Sequence, residues 1–201
     1  DLSKLICGSY GTLAIFDEVT LKTLPKPETN ISLLFPCDDI TAAVARIAGI
    51  FASPHEPNAA AILPQAIAAK AGIDVAGAML AIIRLEGIDV SVADRAAHLL
   101  AAHKEGVMID TNASTTLWQK IRDVDLLVDT DGAIWKLSCA PASAPAIIAT
   151  HLDRLDMQFF PDWAGGLLLL AGPSGVEFGT AMRSALAANG IGHWQYTLVI
   201  V

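Results

Sequence analysis

Apolar positions along this chain fall into short runs, and longer alanine-rich segments with a helical stripe separate them. Ile31–Phe35 reads as a strand. Asp38 or Asp39 suits the N-cap of a helix reaching about Phe51, with Ile40, Val44, Ile47 and Phe51 on one stripe. Pro54 and Pro57 break the chain, and Ala59–Leu63 predicts a second strand, with Ala66–Ala71 able to continue as helix. Ala78–Glu86 predicts a strand ended by Gly87. Ser91 or Asp94 then opens a helix through His103, with Gly106 as its C-cap. A short helix over Thr115–Arg122 lies mid-chain. Beyond it the pattern predicts a strand over Ile134–Cys139 and, after Pro141, a helix over Ala144–Leu155. Strands over Met157–Phe160 and Leu167–Leu170 follow, then a helix over Val176–Ala188 with Gly190 past its end, and a last strand over Trp194–Val201.

Written in order, the two halves read βαββα and βαββαβ. Repeats of this kind with short connections predict an α+β fold, a single antiparallel sheet with helices packed on one face, built from two ferredoxin-like βαββα units. The repeat is one of architecture, since the halves share no residue-level identity.

Composition narrows the picture. With 53% hydrophobic and 17% charged residues, the chain buries a large core and is not intrinsically disordered. A formal net charge of −8 argues against nucleic acid or an anionic membrane surface as the main partner. Lys4, Lys22 and Lys26 balance Asp1, Asp17 and Glu18, so the excess acid lies downstream of a neutral N-terminal segment. Cys7, Cys37 and Cys139 form no CxxC pair and suit a reduced compartment, as buried or inert thiols. The longest apolar stretch, residues 164–172, is far short of the ~18 residues that span a bilayer.

Candidate chemistry concentrates at the N-terminus. Gly8 and Gly11 can take positive φ and put no Cβ in the way of a ligand. Ser9 and Thr12 carry hydroxyls suited to phosphate or ribose oxygens. Ala14, Ile15 and Phe16 begin a strand-like run whose backbone suits a purine edge, and Pro25 and Pro27 stop it. On spacing alone the loop is either a ligand-binding turn or an ordinary tight turn.

Elsewhere Arg84 and Glu86 share one strand face, as an ion pair or with Arg84 free to hold a carboxylate substrate. His55, His98, His103, His151 and His193 lack metal-ligand spacing, so no metal is expected. Trp118, Trp135, Trp163 and Trp194 suit core or subunit-contact positions. Asp123, Asp125, Asp129 and Asp131 suit a solvated loop. No nucleophile elbow, Ser-His-Asp set or phosphate-binding Walker loop is present, and no catalytic residue stands out.

The longer strings carry a resemblance. Asp1-Leu-Ser-Lys-Leu5, Gly8-Ser-Tyr-Gly-Thr-Leu-Ala-Ile15 and Glu18-Val-Thr-Leu-Lys-Thr-Leu-Pro25-Lys-Pro27 together resemble the end of the FAD-binding domain in the vanillyl-alcohol oxidase (PCMH-type) FAD-linked oxidases. Ala14 stands where that family usually has glycine. Arg84-Leu-Glu-Gly87, Leu117-Trp-x-x-Ile-Arg122, Ile134-Trp-Lys-Leu-Ser138, Asp162-Trp-Ala-Gly-Gly166 and Gly192-His-x-x-Tyr-Thr-Leu198 follow in order and resemble the GlcE-like FAD-binding subunits of glycolate oxidases. The stretch after Trp163 departs from that pattern, running apolar where the family has a basic segment.

The resemblance implies that residues 1–28 end an FAD-binding domain and residues 29–201 form a cap or substrate domain. It implies FAD as cofactor of the full-length protein, with Gly8, Ser9, Gly11, Thr12, Ala14 and Ile15 in one wall of its site and Arg84 toward a 2-hydroxy acid. It implies a second flavoprotein subunit and an iron–sulfur subunit as partners. The expected location is the cytoplasm, at the inner face of a membrane through those partners. Such a piece would be inactive alone. The competing reading is a non-catalytic ferredoxin-like assembly module that binds no flavin.

Overall fold

In a computed structural model, residues 2–9, 11–74, 76–127, 133–152, 157–173, 176–188 and 195–199 are described. A five-residue helix, α1 (Leu2–Ile6), precedes the strands. The first unit runs β1 (Thr29–Cys37), α2 (Ile40–Phe51), β2 (Ala59–Pro64), α3 (Gln65–Lys70), β3 (Met79–Gly87), α4 (Asp89–Ala102) and β4 (Val107–Ile109). After α5 (Thr111–Arg122), the second unit runs β5 (Ala133–Ser138), α6 (Ala144–Ile147), β6 (Phe159–Asp162), β7 (Leu167–Gly172), α7 (Val176–Ala188) and β8 (Gln195–Val199).

The strands form two four-stranded antiparallel sheets, ordered β2-β3-β1-β4 and β6-β7-β5-β8. Both units therefore place their second, third, first and fourth strands in the same sequence across the sheet. The expectation of a single sheet is corrected to two, whose edge strands β2 and β6 lie alongside each other. The alternation of side chains then builds two shared cores. Leu33, Phe35, Ile62, Ile83, Trp135 and Leu168 face one side with α2, α4 and α6, while Leu34, Leu63, Ile82, Ile134, Phe160 and Leu169 face the other.

Helices on one face only is a second expectation that the structure corrects. Ile67 and Ala68 of α3 and Leu117, Trp118 and Ile121 of α5 pack on the opposite face. The reason lies in the strands, which are apolar on both sides and need cover on both. Asp39, at the N-terminus of α2, accepts a hydrogen bond from Ala42 N–H at 2.7 Å, and Asp110 caps α5 through Ala113 N–H at 2.9 Å.

Several boundaries move for local reasons. The strand-like run after Ala14 joins neither sheet. No described strand lies beside it to accept its hydrogen bonds, and Leu13, Ile15, Phe16, Val19, Leu21 and Leu24 are exposed. At the described part of the helix expected over Ala144–Leu155, the chain takes a 3-10 turn at Pro141–Ser143, then α6, then a π turn over Ile148–Leu152; residues 153–155 lie outside the described residues. Strand β6 starts two residues later than expected and contains Pro161, which an edge strand tolerates because no ladder bond needs its missing N–H. His103, not Gly106, caps α4. Gly106 is small for another reason: a Cβ there would lie 2.5 Å from the Phe35 ring. Strand β4 escaped the sequence reading because it has only three residues, two of them exposed.

A seam of hydroxyls ties α5 to β1. The Trp118 indole N–H donates to Ser32 Oγ at 2.8 Å, and Ser32 and Ser114 hydroxyls meet at 2.8 Å with both residues fully buried. Thr29 meets Thr111 at 3.0 Å, and Asn30 donates to Thr115 at 3.3 Å. Replacing Ser32 by Ala leaves the indole N–H without its acceptor in a buried site. Urea unfolding should show a loss of about 1–3 kcal/mol, and adding Trp118→Phe should cost less than it does in the native background.

Candidate functional site

The second core face opens between the two units into a cleft of about 750 Å3. Strand β3 contributes Arg84, β5 contributes Lys136, and α5 contributes Thr115, Gln119 and Arg122. The turn after β6 contributes Asp162, Trp163 and Ala164, and Leu167 and Leu169 are among the apolar residues lining it.

The cations differ in how they are held. Arg122 grips its neighbour Asp123 through two hydrogen bonds of 2.7 and 2.8 Å, and this contact holds the Asp123 carboxyl below its ordinary value. Arg84 pairs with Glu86, two residues along the same strand face. That contact anchors the guanidinium, yet the Arg84 Nε–H is buried with no acceptor among the described residues. Lys136 is half-buried and has no carboxylate partner among the described residues. A buried donor without a partner is uncommon in a folded protein, and here it belongs to a cleft that the Lys136 ammonium also lines. The arrangement suits an anionic ligand, above all a carboxylate.

One acid shares the site. Burial pushes the Asp162 carboxyl above the ordinary carboxylate value, against the opposing effect of the Trp163 N–H that it accepts at 2.8 Å. The turn that follows is strained. Trp163, Ala164 and Gly165 take φ of 50°, 57° and 97°, and a non-glycine residue held there costs on the order of 1–3 kcal/mol. Gly166 N–H donates back to Trp163 C=O at 2.9 Å, and Cys139 holds the turn from outside through N–H to Gly166 C=O and Sγ to Gly165 C=O. Of the tryptophans expected at core or subunit-contact positions, Trp118 and Trp135 are buried, and Trp163, 66% exposed, takes no core position. Trp194 lies outside the described residues, as do His193, Asp129 and Asp131.

The glycine loop is a separate feature. Gly8 and Gly11 take φ of 84° and 75°, and nothing lies within 4 Å of where a Cβ would stand on either. The turn itself uses some of the donors that sequence offered to a ligand: Ser9 N–H bonds Ile6 C=O at 3.1 Å, and both the N–H and the hydroxyl of Thr12 bond Ser9 C=O, at 3.0 and 2.6 Å. The Ser9 hydroxyl stays uncommitted among the described residues. Ala14 is half-buried and Ile15 is 97% exposed. The open glycine cradle is compatible with close approach of a large ligand such as FAD. Arg84 sits in the cleft and not in this loop, so the sequence-predicted residues form two groups. Lys136 and Asp162 were missed as site residues. The signal for Lys136 was a lone cation inside an apolar strand run; Asp162 gave none, since its burial is tertiary.

No protein-family model matches the chain. It is 29% identical over 168 residues to the glycolate oxidase subunit GlcE of Escherichia coli (strain K12), covering 83% of this chain and 39% of that protein. It is 27% identical over 199 residues to an uncharacterized FAD-linked oxidoreductase of Mycobacterium tuberculosis, covering 90% of this chain and 41% of that one. The chain is thus similar to part of these FAD-linked relatives. The chain spans about two fifths of the length of these relatives. The fold agrees with that of an alkyldihydroxyacetonephosphate synthase structure, at a TM-score of 0.62 and 17% identity over 94% of this chain and 44% of that one.

Among the described residues no group of three or more His, Cys, Asp or Glu side chains is placed to hold a metal ion. His98 instead bonds Asp94 and stacks on His55 at 5.8 Å, and His103 meets Phe35 edge-on. Of the three thiols expected to be buried or inert, Cys37 is buried and Cys139 half-buried, while Cys7 is exposed. Burial pushes the Cys139 thiol up to about 11. Alkylation with iodoacetamide, mapped by mass spectrometry, should label Cys7 well before Cys139; equal rates would contradict this placement. Asp162 makes a pH signature. Its raised folded pKa means the folded state keeps a proton that the unfolded state has lost, so stability falls as pH climbs through the ordinary carboxylate range. Asp162→Asn keeps an acceptor for the Trp163 N–H and should flatten that decline in unfolding curves taken across acidic pH.

Proposed function

We propose that this chain is part of the FAD-binding subunit of a 2-hydroxy acid oxidase or dehydrogenase complex of the glycolate oxidase type. The observation that carries the reading is the Arg84 Nε–H, buried without an acceptor among the described residues in a cleft that Lys136 also lines. The relatives named for FAD-linked and glycolate oxidation supply the chemistry that fits such a cleft.

In this reading the substrate carboxylate meets Arg84 and Lys136, which fix the acid end by charge and hydrogen bonding. Glu86 orients the Arg84 guanidinium, and α5, held by its hydroxyl seam, keeps the wall in place. Gly8 and Gly11 let the backbone approach FAD, and the Ser9 hydroxyl offers a donor to it. The chemistry supplied by bound FAD would be two-electron oxidation of the substrate. The proton-abstracting residue stays unassigned. Residues 1–28 then belong with the flavin-binding domain and residues 29–201 form the cap. A second flavoprotein subunit and an iron–sulfur subunit are the proposed partners, in the cytoplasm and at the inner face of a membrane through those partners. The residues here supply one wall of the flavin site, so the piece alone is inactive. The flavin-free assembly module is not favoured by the relatives.

The full-length polypeptide carrying this stretch should purify with bound flavin. Gly11→Val puts a β-branched side chain at a φ of 75°. It should lower flavin occupancy by about tenfold or more (a loss on the order of 1.4 kcal/mol in binding), with thermal unfolding of the cap unchanged. A folded full-length product without flavin overturns the reading.

A further inference from the structure

The cleft holds more than an anion site needs. Beside Arg84 and Lys136 it is lined by Phe51, Ile121, Leu167 and Leu169, and Trp163 stands at its wall with two thirds of its surface exposed. A large aromatic left this open is costly unless something covers it, because its apolar surface stays in water. Its placement is also not a relaxed default. Three successive left-handed residues begin at Trp163, and the turn is pinned by the Asp162 side chain on one side and by Cys139 N–H and Sγ on the other. Backbone strain that the surroundings over-determine, at a residue lining a cleft, points to a function for that residue.

Glycolate would use only part of this site. Its carboxylate and hydroxyl can meet the cations, but it has no carbon beyond the hydroxyl-bearing one to reach the apolar lining or the indole. A 2-hydroxy acid with an apolar or aromatic side chain uses both halves: charge at Arg84 and Lys136, ring or chain against Trp163. We propose that Trp163 is a specificity-determining residue of the cleft, selecting 2-hydroxy acids that carry a bulky apolar or aromatic side chain over glycolate. This inference rests on the carboxylate reading of the Arg84 cleft given above.

The test is calorimetric binding of 3-phenyllactate and of glycolate to the full-length flavoprotein. The native protein should bind 3-phenyllactate about tenfold or more tightly than glycolate, the scale expected of one well-placed aromatic contact plus its buried area. Trp163→Ala should remove that preference and leave glycolate affinity within about twofold. Trp163→Phe keeps a ring on the same turn, should retain most of the preference, and serves as the folding control. A preference for glycolate in the native protein, or one for 3-phenyllactate that survives Trp163→Ala, overturns the role of Trp163. In that case Arg84→Gln still weakens both acids, and the carboxylate reading stands. If neither acid binds, or Arg84→Gln weakens neither, both readings fall together.

Discussion

The contact on which the rest of this structure depends is a buried chain of three polar groups: the Trp118 indole N–H on Ser32, and Ser32 on Ser114. Each of these groups would be costly to bury alone. Together they satisfy one another, and they fix α5 against the middle of β1. The half-buried end of the seam, Thr29 with Thr111 and Asn30 with Thr115, sets the direction of the helix across the strand. Apolar packing by Leu117 and Ile121 supplies much of the driving force, but it is not directional. The hydrogen bonds decide where along β1 the helix rests.

That placement creates the cleft. α5 is the connection between the two units, so anchoring it on the first sheet leaves its far side, with Gln119 and Arg122, facing the second. The two sheets meet at β2 and β6 and share both cores, so Arg84 on β3 and Lys136 on β5 are carried to one opening. The turn after β6 closes the wall. Its left-handed backbone is unfavourable by itself and persists because Asp162 and Cys139 hold it at both ends.

The glycine loop stands apart in character. Its bonds are local, its glycines face open space, and the apolar residues after it lie on the surface. A segment with strand-like alternation and no strand beside it is incomplete in energetic terms, since neither its backbone groups nor its side chains are used.

Apart from β4 and the run after Ala14, the sequence by itself determined the order of strands, because that order is written in local periodicity and caps. The strand over Ala78–Glu86 lies one residue from β3, and the helix over Val176–Ala188 matches α7 in full. It also determined the two turn glycines, whose positive φ is a local need. What only the tertiary structure decided is everything that depends on residues distant in the chain. Thr111 and Ser114 precede the helix expected over Thr115–Arg122, and their role emerges only where β1, 82 residues away for Ser32, lies beneath them. Lys136 and Asp162 became site residues because folding brought them into Arg84's cleft, and Gly106 proved to be small for Phe35 and not for a cap. The division into two sheets, with helices on both faces, likewise followed from how strands apolar on both sides find cover. Periodicity records which residues are buried, whereas the partner that buries them is a property of the whole chain.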